Sequence, residues 1–298
     1  MFDVAVVGSL NLDTTVRVPR LPEPGETILG GGAATDTGGK GANQAVAAAR
    51  LGRRVAMVGA VGDDAAAARL RIALEEAGVA VAHLVTVDGP TGSAFIAVDD
   101  AGENMIVVDP GANAALAPEH LPGDELAAAA ITLVQHEIPA ATVAAAVALA
   151  GGDVILNPAP ARPVPAAVLA GVAVLVPNST ELAVLAGGDA PASPGEAAAL
   201  AATLTGPGAV VVTLGADGAV VVEDGSVTHV AAPRIDAVDP TAAGDAFCGG
   251  LADALVGGAS LVDAVRWAVL AGAVTATRRG AQSSLPTRDE VEELEGRS

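Results

Sequence analysis

Residues 131–156 read ITLVQHEIPAATVAAAVALAGGDVIL, and this stretch decides the fold. Ile131 to Val134 carries no charge and has the length of a strand. Residues 139–150 are rich in Ala and Val over the length of a helix, and 153–156 end in a second short apolar run. A strand with no charged residue on either face is buried on both, which is the habit of parallel sheets lying between two helical layers. The alternation continues outward in both directions. Residues 4–7, 55–58, 172–176 and 209–213 read as further buried strands, and 42–51, 63–77, 179–186, 195–204, 245–256 and 260–277 as helices. The expected class is therefore α/β, a mostly parallel sheet covered on both faces.

Two segments break the pattern. Residues 14–35 contain Pro19, Pro22 and Pro24 before Gly30-Gly31-Gly32, and 92–109 form two strand-like runs around Asp99-Asp100-Ala101-Gly102. Both read as strands outside the main sheet. They suit a small β lid over a cleft, and equally an ordinary pair of surface hairpins. Val220 to Val227 reads as a hairpin turning at Asp224-Gly225, and Glu290 to Glu295 as a solvated helix face. One domain over 1–298, lid included, is the organisation expected.

Composition narrows the function. The chain has 298 residues, 15 Lys and Arg against 35 Asp and Glu, and a formal net charge of −20, with three Phe, one Trp and no Tyr. Such a length buries about three quarters of the extended-chain surface, so core size is no obstacle. The negative balance repels a phosphate backbone and no basic patch offsets it, which argues against nucleic acid. A single cysteine, Cys248, excludes an internal disulfide and fits a reducing compartment, and the scattered His83, His120, His136 and His229 lack zinc-ligand spacing. Met1-Phe2-Asp3 runs straight into the first strand without a basic leader, and apolar stretches such as Ala127 to Val134 fall short of the roughly 20 residues of a membrane span. A cytoplasmic protein that does not engage membranes is expected.

Familiar nucleotide loops fail. Gly39-Lys40 is followed by Gly41 rather than Ser or Thr, and Gly30-x-Gly32 lacks a third glycine. Gly-x-Ser-x-Gly is missing as well. The strongest local signal is Asp239-Pro240-Thr241-Ala242-Ala243-Gly244-Asp245-Ala246-Phe247. A helix starting near Ala243 aims free N–H groups at an anion with Asp245 beside them, so a carboxylate could deprotonate an alcohol next to the phosphoryl group it attacks. An acid serving only the helix dipole is the other reading. Gly38-Gly39-Lys40-Gly41-Ala42-Asn43 exposes backbone ahead of a helix and supplies donors from Lys40 and Asn43, although Lys40 in a plain connection would face solvent. Gly8-Ser9-Leu10-Asn11-Leu12-Asp13 puts Asn11 and Asp13 at the carboxyl end of a strand, where open α/β sheets bind ligands, or simply forms a turn.

Taken together, Asn11-x-Asp13, the Gly38 to Asn43 run, Asn157-Pro158-Ala159-Pro160, Asn178-x-x-Glu181, Thr213-Leu214-Gly215 and Ala243-Gly244-Asp245 resemble the ribokinase-like (PfkB) family of carbohydrate kinases, from Val4 to Pro286. Gly39 to Ala49, Gly111 to Ala114, Asn157 to Ala161 and Arg279 to Gln282 look like members that act on ribose. The resemblance implies a three-layer fold with a β lid and an ATP-dependent transfer to the 5-hydroxyl of D-ribose. It implies Asp245 as base, Ala242, Ala243 and Gly244 as anion hole, and Asn11, Asp13, Gly39, Lys40, Asn43, Glu137 and Asp245 as sugar ligands. Glu137 after an apolar strand is otherwise an acid facing water.

For ATP and Mg²⁺ the resemblance implies Asn178, Glu181, Thr213, Gly215, Ala216, Asp217, Gly218 and Gly244, with Asn178 also readable as a helix cap. For an activating K⁺ it implies Asp239, Thr241, Thr275, Arg278, Gly280 and Ser284, several through backbone carbonyls. If the two lid segments are strands with an exposed edge, pairing with a second subunit covers it, so a homodimer through the lid is expected. Four positions depart from the family's pattern: the pair Asp109-Pro110, Pro240, and Val269 where a polar residue near adenine is expected. A kinase of ketohexose, deoxyribose or a nucleoside, and a sugar-binding regulator without catalysis, are the alternatives.

Overall fold

The computed structural model describes residues 1–297. The chain begins β1 (Val4–Val7), β2 (Asn11–Arg17), β3 (Gly31–Gly38), α1 (Lys40–Arg50), β4 (Val55–Val61), α2 (Ala65–Glu76), β5 (Val79–Thr86), β6 (Gly92–Val98) and β7 (Asn104–Asp109). It continues through α3 (Gly123–Ala128), β8 (Ile131–Gln135), α4 (Ala140–Leu149), β9 (Asp153–Asn157), α5 (Ala166–Leu169), β10 (Val174–Leu175), α6 (Ser179–Ala186) and α7 (Pro194–Ala201). The remainder is β11 (Ala209–Thr213), β12 (Ala219–Glu223), β13 (Ser226–Val230), α8 (Ala243–Val256), α9 (Leu261–Ala276) and α10 (Arg288–Glu295).

A nine-stranded sheet has the order β13-β12-β11-β10-β9-β8-β1-β4-β5, and a separate four-stranded sheet the order β3-β2-β6-β7. Pairing is parallel from β5 across to β11, and antiparallel only where β12 and β13 close one edge. The hairpin turn falls at Asp224 and Gly225, both with positive φ (48° and 77°), as a two-residue turn of matching twist requires. Along β1, Val4 and Val6 enter one hydrophobic cluster with α1, α2, α8 and α9, while Ala5 and Val7 enter the other with α3, α4 and α7. That alternation is the two-residue side-chain period of a strand buried on both faces.

The expected mostly parallel α/β sheet is present, with differences at its weak points. The strand expected at 172–176 is reduced to Val174–Leu175, and β5 was not anticipated. β5 lies at the sheet edge with several side chains in partial contact with water; its apolar run Val79-Ala80-Val81-Ala82 directly follows an Ala-rich helix and Gly78 and is interrupted by His83. The two irregular segments do form one small sheet, starting at Asn11 and reaching Gly38, with β2 parallel to β6. Among the described residues no helix is long and apolar enough to cross a membrane.

From β1 the chain leaves in one direction toward β4 and β5, and later returns on the other side through β8. The crevice between the carboxyl ends of β1 and β8 is therefore the point at which strand order reverses, where ligands of open sheets enter. Helix α8 is brought to it by close contact with α1. A Cβ on Gly249 would lie 2.5 Å from Cβ of Ala47 and 2.9 Å from the Ala48 amide nitrogen, so only glycine permits this approach. Further along α8, the buried Asp253 pairs with Arg53 (2.5 Å) and Arg288 (2.6 Å) and fixes the helix along its axis.

Leu133 sits fully buried in the middle of β8, the strand that carries one wall of the crevice. Leu133→Ala is expected to lower stability by about 2–5 kcal/mol, the cost of an aliphatic core truncation. The check is a lower urea midpoint at unchanged m-value; an unmoved midpoint would mean that this layer is not the packed centre of the sheet.

Candidate active site

The crevice is lined by the ends of β1 and β8, the first turn of α1, the last lid strand and the segment after β9. Its cavity, about 660 Å³, is bordered by Asn11, Lys40, Asn113, Glu137, Arg162 and Glu181, among others. Gly39, immediately before α1, has φ 88°, and a Cβ there would lie 2.8 Å from the Asn11 amide nitrogen and 2.9 Å from the Ser9 carbonyl oxygen. The glycine run thus seats the N-terminus of α1 directly on the β1–β2 link. As a result Glu137 Oε2, at the end of β8, accepts from Ser9 Oγ (2.5 Å) and from the Lys40 amide (3.1 Å). Asn113 clamps the same link from the lid side. Its Oδ1 accepts from the Leu10 amide (2.9 Å), and its Nδ2 donates to the Leu10 carbonyl (3.0 Å) and to Asn11 Oδ1 (2.8 Å).

Asp245 stands in the first turn of α8, which begins after Ala242 in a left-handed conformation (φ 61°). It is 7% exposed, with Asn43 Nδ2 donating to Oδ2 (2.9 Å) and Gln44 Nε2 donating to Oδ1 (3.1 Å). Burial pushes its carboxyl up, and Glu137 adds to this, while Lys40, Asn43 and Gln44 pull it down; the net direction is upward. Of the three amides expected to receive an anion, Ala243 already donates to the Pro240 carbonyl (3.1 Å). This leaves Ala242 and Gly244 as the expected positions whose amides are not used in that turn.

Asp13 on β2 is largely buried and its Oδ1 has no partner; Oδ1 of Asn43 is likewise buried and unpartnered. Burial, reinforced by Glu137, Asp36 and Asp245, pushes the Asp13 carboxyl up to about 7. Lys40 answers this cluster of acids. Burial pulls its ammonium down, but Asp245, Glu137 and Glu181 outweigh burial and the net direction is upward. The arrangement offers unsatisfied acceptors to hydroxyl donors, next to a carboxylate and a cation, which is what a polyol with one reacting hydroxyl requires.

Asn178 and Glu181 form a reciprocal cap at the start of α6. Asn178 Oδ1 accepts from the Glu181 amide and Glu181 Oε2 from the Asn178 amide, both at 2.8 Å. Burial raises the Glu181 carboxyl against the opposing pull of the Asn178 amide and Lys40. Thr213 ends β11 beside Asn178, its amide bonded to the Pro177 carbonyl (2.9 Å), and Gly215, Ala216, Asp217 and Gly218 form the tight turn that follows. Among the described residues no group of three or more His, Cys, Asp or Glu side chains is placed to hold a metal. A divalent ion at Glu181 would therefore take most of its oxygen ligands from phosphates and water.

The loop after residue 238 meets the turn after α9. Asp239 Oδ1 accepts from the Thr241 amide (2.9 Å) and Oδ2 from the Gly280 amide (3.1 Å), and these bonds hold its carboxyl low in spite of burial. The Thr275 carbonyl already accepts the Arg278 amide (3.1 Å), the Ser284 hydroxyl donates to the Ala281 carbonyl (2.7 Å), and the Arg278 side chain turns away to Glu290 (2.6 Å). The segments converge, so backbone oxygens of this loop suit a large monovalent cation better than the Arg278 side chain does.

Sequence reasoning missed Ser9, Gln44 and Gln135 as members of the site. Ser9 follows Gly8 after the first strand, Gln44 follows Asn43 at the start of an Ala-rich helix, and Gln135 ends an apolar strand; a polar residue at a strand end or in a first helical turn was the available signal. Asp109, read as a departure, ends β7 and its Oδ1 accepts from the Gly111 amide (3.1 Å), shaping the turn that carries Asn113. Val269 is buried in the core on α9.

The profile described as pfkB family carbohydrate kinase matches residues 1–288, and the chain belongs to this family. Within the family its similarity runs to ribokinases. It is 38% identical over 300 residues to the ribokinase of Haemophilus influenzae, covering 98% of this chain and 97% of that one. The ribokinase of Thermotoga maritima superposes with a TM-score of 0.92 at 36% identity, over 99% of this chain and 100% of that one. The Arabidopsis thaliana ribokinase complexed with ribose and ATP gives a TM-score of 0.88 at 34% identity, covering 98% and 97%.

Asp13 yields a prediction with a definite sign. A carboxyl raised from 3.8 to about 7 by folding favours its protonated form, so its contribution is most favourable below pH about 4 and is lost as pH rises through about 7. Asp13→Asn is expected to raise the stability of the sugar-free protein at pH about 8 by about 1–3 kcal/mol. The gain should vanish near pH about 4. A variant less stable than the parent at both values would contradict the strain assigned to this carboxylate.

Proposed function

We propose that this chain transfers the γ-phosphoryl group of ATP to the 5-hydroxyl of D-ribose, giving D-ribose 5-phosphate and ADP. The observation that carries the reading is the pair of buried acceptors without partners, Asp13 Oδ1 and Asn43 Oδ1, set beside Asp245 in the crevice. Asn11, Asp13, the Gly39 backbone, Lys40, Asn43 and Glu137 bind the sugar hydroxyls. Asp245 takes the proton of the hydroxyl as it attacks in line, and the amides of Ala242 and Gly244 face the charge that develops on the phosphoryl oxygens. The similarity to a ribokinase complexed with ribose and ATP supports this choice of substrates.

ATP lies along Asn178, Thr213 and the turn Gly215 to Gly218, with Glu181 on the side of its phosphates. Magnesium, held by the phosphates with Glu181 and Asn178 nearby, would neutralise phosphate charge. Potassium would be held by Asp239, Thr241, Thr275, Arg278, Gly280 and Ser284, chiefly through carbonyl oxygens. There it would brace the loop that precedes α8. The buried single cysteine agrees with work in the cytoplasm.

Asp245→Asn is expected to lower kcat by about 10² to 10⁴ while ribose affinity changes little. A coupled ADP-release assay with ribose, deoxyribose, ketohexoses and nucleosides checks both base and substrate. Near-normal turnover of the variant would remove Asp245 from the chemistry, and an inactive ribose reaction beside an active rival would reassign the substrate.

The four-stranded sheet acts as the lid of one kinase domain, and a second copy of the chain covers its outer face. All six residues of β7 are exposed, Ile106 and Val107 by more than half, with Phe95 of β6 beside them, and β7 is an unpaired sheet edge. Sedimentation is expected to give twice the chain mass, and Phe95→Asp with Val107→Asp, cross-strand partners on the face opposite the cavity-lining Val108, to halve it. A parent protein that sediments as a monomer at working concentration would overturn the lid-paired dimer.

A further inference from the structure

Each oxygen of Asp245 has its own donor, and the two donors differ in what else they bind. Asn43, which donates to Oδ2, is also a sugar-binding position, so its bond is open to exchange when a hydroxyl arrives. Gln44, which donates to Oδ1 at 3.1 Å, is fully buried, and its nitrogen and its oxygen are both engaged by protein partners, whereas Asn43 Oδ1 has none.

A primary amide can present a donor or an acceptor, and here the neighbours settle which. Gln135 Nε2 donates to Gln44 Oε1 (2.7 Å), and Asn157 Oδ1 accepts from Gln44 Nε2 (3.3 Å). Asn157 is itself oriented, because its Nδ2 donates to the Val176 carbonyl (2.9 Å), which can only accept. Polarity therefore runs from the backbone of Val176 through Asn157 to Gln44, and from Gln135 to Gln44. A flipped Gln44 would turn its carbonyl oxygen against both Asp245 and Asn157. These residues come from α1, β8 and β9, three separate elements converging on the first turn of α8.

We propose that Gln44, oriented by Gln135 and Asn157, is a positioning residue for the phosphoryl transfer: it anchors Oδ1 of Asp245, keeps the carboxylate ionised and leaves Oδ2 to receive the hydroxyl proton. This rests on the reading of Asp245 as the base. The charged and titratable groups facing Asp245 are Lys40 on α1, Glu137 after β8, Asp13 on β2 and Cys248 one turn along α8. Only Lys40 among them favours the ionised form; Glu137, Asp13 and burial oppose it. The two amide donors supply the remaining support, and Gln44 is the one that substrate does not compete for.

The test is steady-state kinetics across pH with Gln44→Met, Gln135→Met, the double variant and Asp245→Asn. Gln44→Met is expected to lower kcat about tenfold, the worth of one hydrogen bond to a charged group. It should also move the acid limb of the kcat profile up by about one pH unit and leave KM for ribose within about twofold. Gln135→Met should shift the limb in the same direction by less, and the double variant should be no worse than Gln44→Met, because both act on one bond. A folded Gln44→Met or Gln135→Met protein with lower Tm but unmoved acid limb and kcat would make the network merely structural and overturn the proposal. Should Gln44→Met fail to fold, Gln135→Met, one residue further from the carboxylate, decides alone. Near-normal turnover of Asp245→Asn would instead remove the base itself, a failure distinct from an unmoved limb in the glutamine variants.

Discussion

Helices α1 and α8 meet backbone to backbone at Gly249 and Ala47, and the rest of the site follows from that contact. A helix pair carrying ordinary side chains at the crossing stands about 8–10 Å apart. The glycine lets the axes approach closely enough for two short amides, Asn43 and Gln44, to reach the carboxylate of Asp245 one turn away. Gly39 performs the matching task at the other end of α1, seating its first turn on the β1–β2 link. The strength of these contacts lies in the absence of side chains, so the neighbouring core is built from Ala, Val and Leu.

That close packing gathers acids that repel one another. Asp13, Asp245 and Glu137 occupy one crevice with Asp36 nearby, and Lys40 is the cation that faces them. Without substrate, Asp13 is left with an unpartnered buried oxygen and a carboxyl pushed toward neutrality. Local strain of this kind persists only where the surrounding framework is rigid, and the parallel strands fully buried on both faces provide it. The unpartnered acceptors Asp13 Oδ1 and Asn43 Oδ1 leave the cleft open to hydrogen-bond donors.

The order of strands and helices was legible because burial on both faces leaves solid apolar runs, and Ile131 to Val134 is such a run. β5 escaped notice although Val79 to Ala82 is an apolar run, since the run follows a helix closely, is cut by His83 and lies at a partly wetted edge. The lid segments could be marked as strands outside the main sheet, but not the parallel pairing of β2 with β6, which joins segments separated by α1, β4, α2 and β5. Asn11 and Asp13 were named because they follow the first strand, and Lys40, Asn43 and Asp245 because each stands next to a glycine or at a helix start. Ser9, Gln44 and Gln135 were not, since sequence does not show whether a polar residue bordering an apolar run faces a partner or solvent.

Local chemistry settled the alternation of strands and helices, the Asp224-Gly225 turn and the reciprocal cap of Asn178 and Glu181, because each depends on neighbours within a few positions along the chain. Folding in three dimensions decided which amides face Asp245, that Asp239 accepts from the Gly280 amide, and that the Arg278 side chain leaves the loop for Glu290. Those outcomes turn on hydrogen bonds and repulsions between residues up to 202 positions apart. Their energies depend on distance and burial, and neither quantity exists until the helices have closed on the sheet.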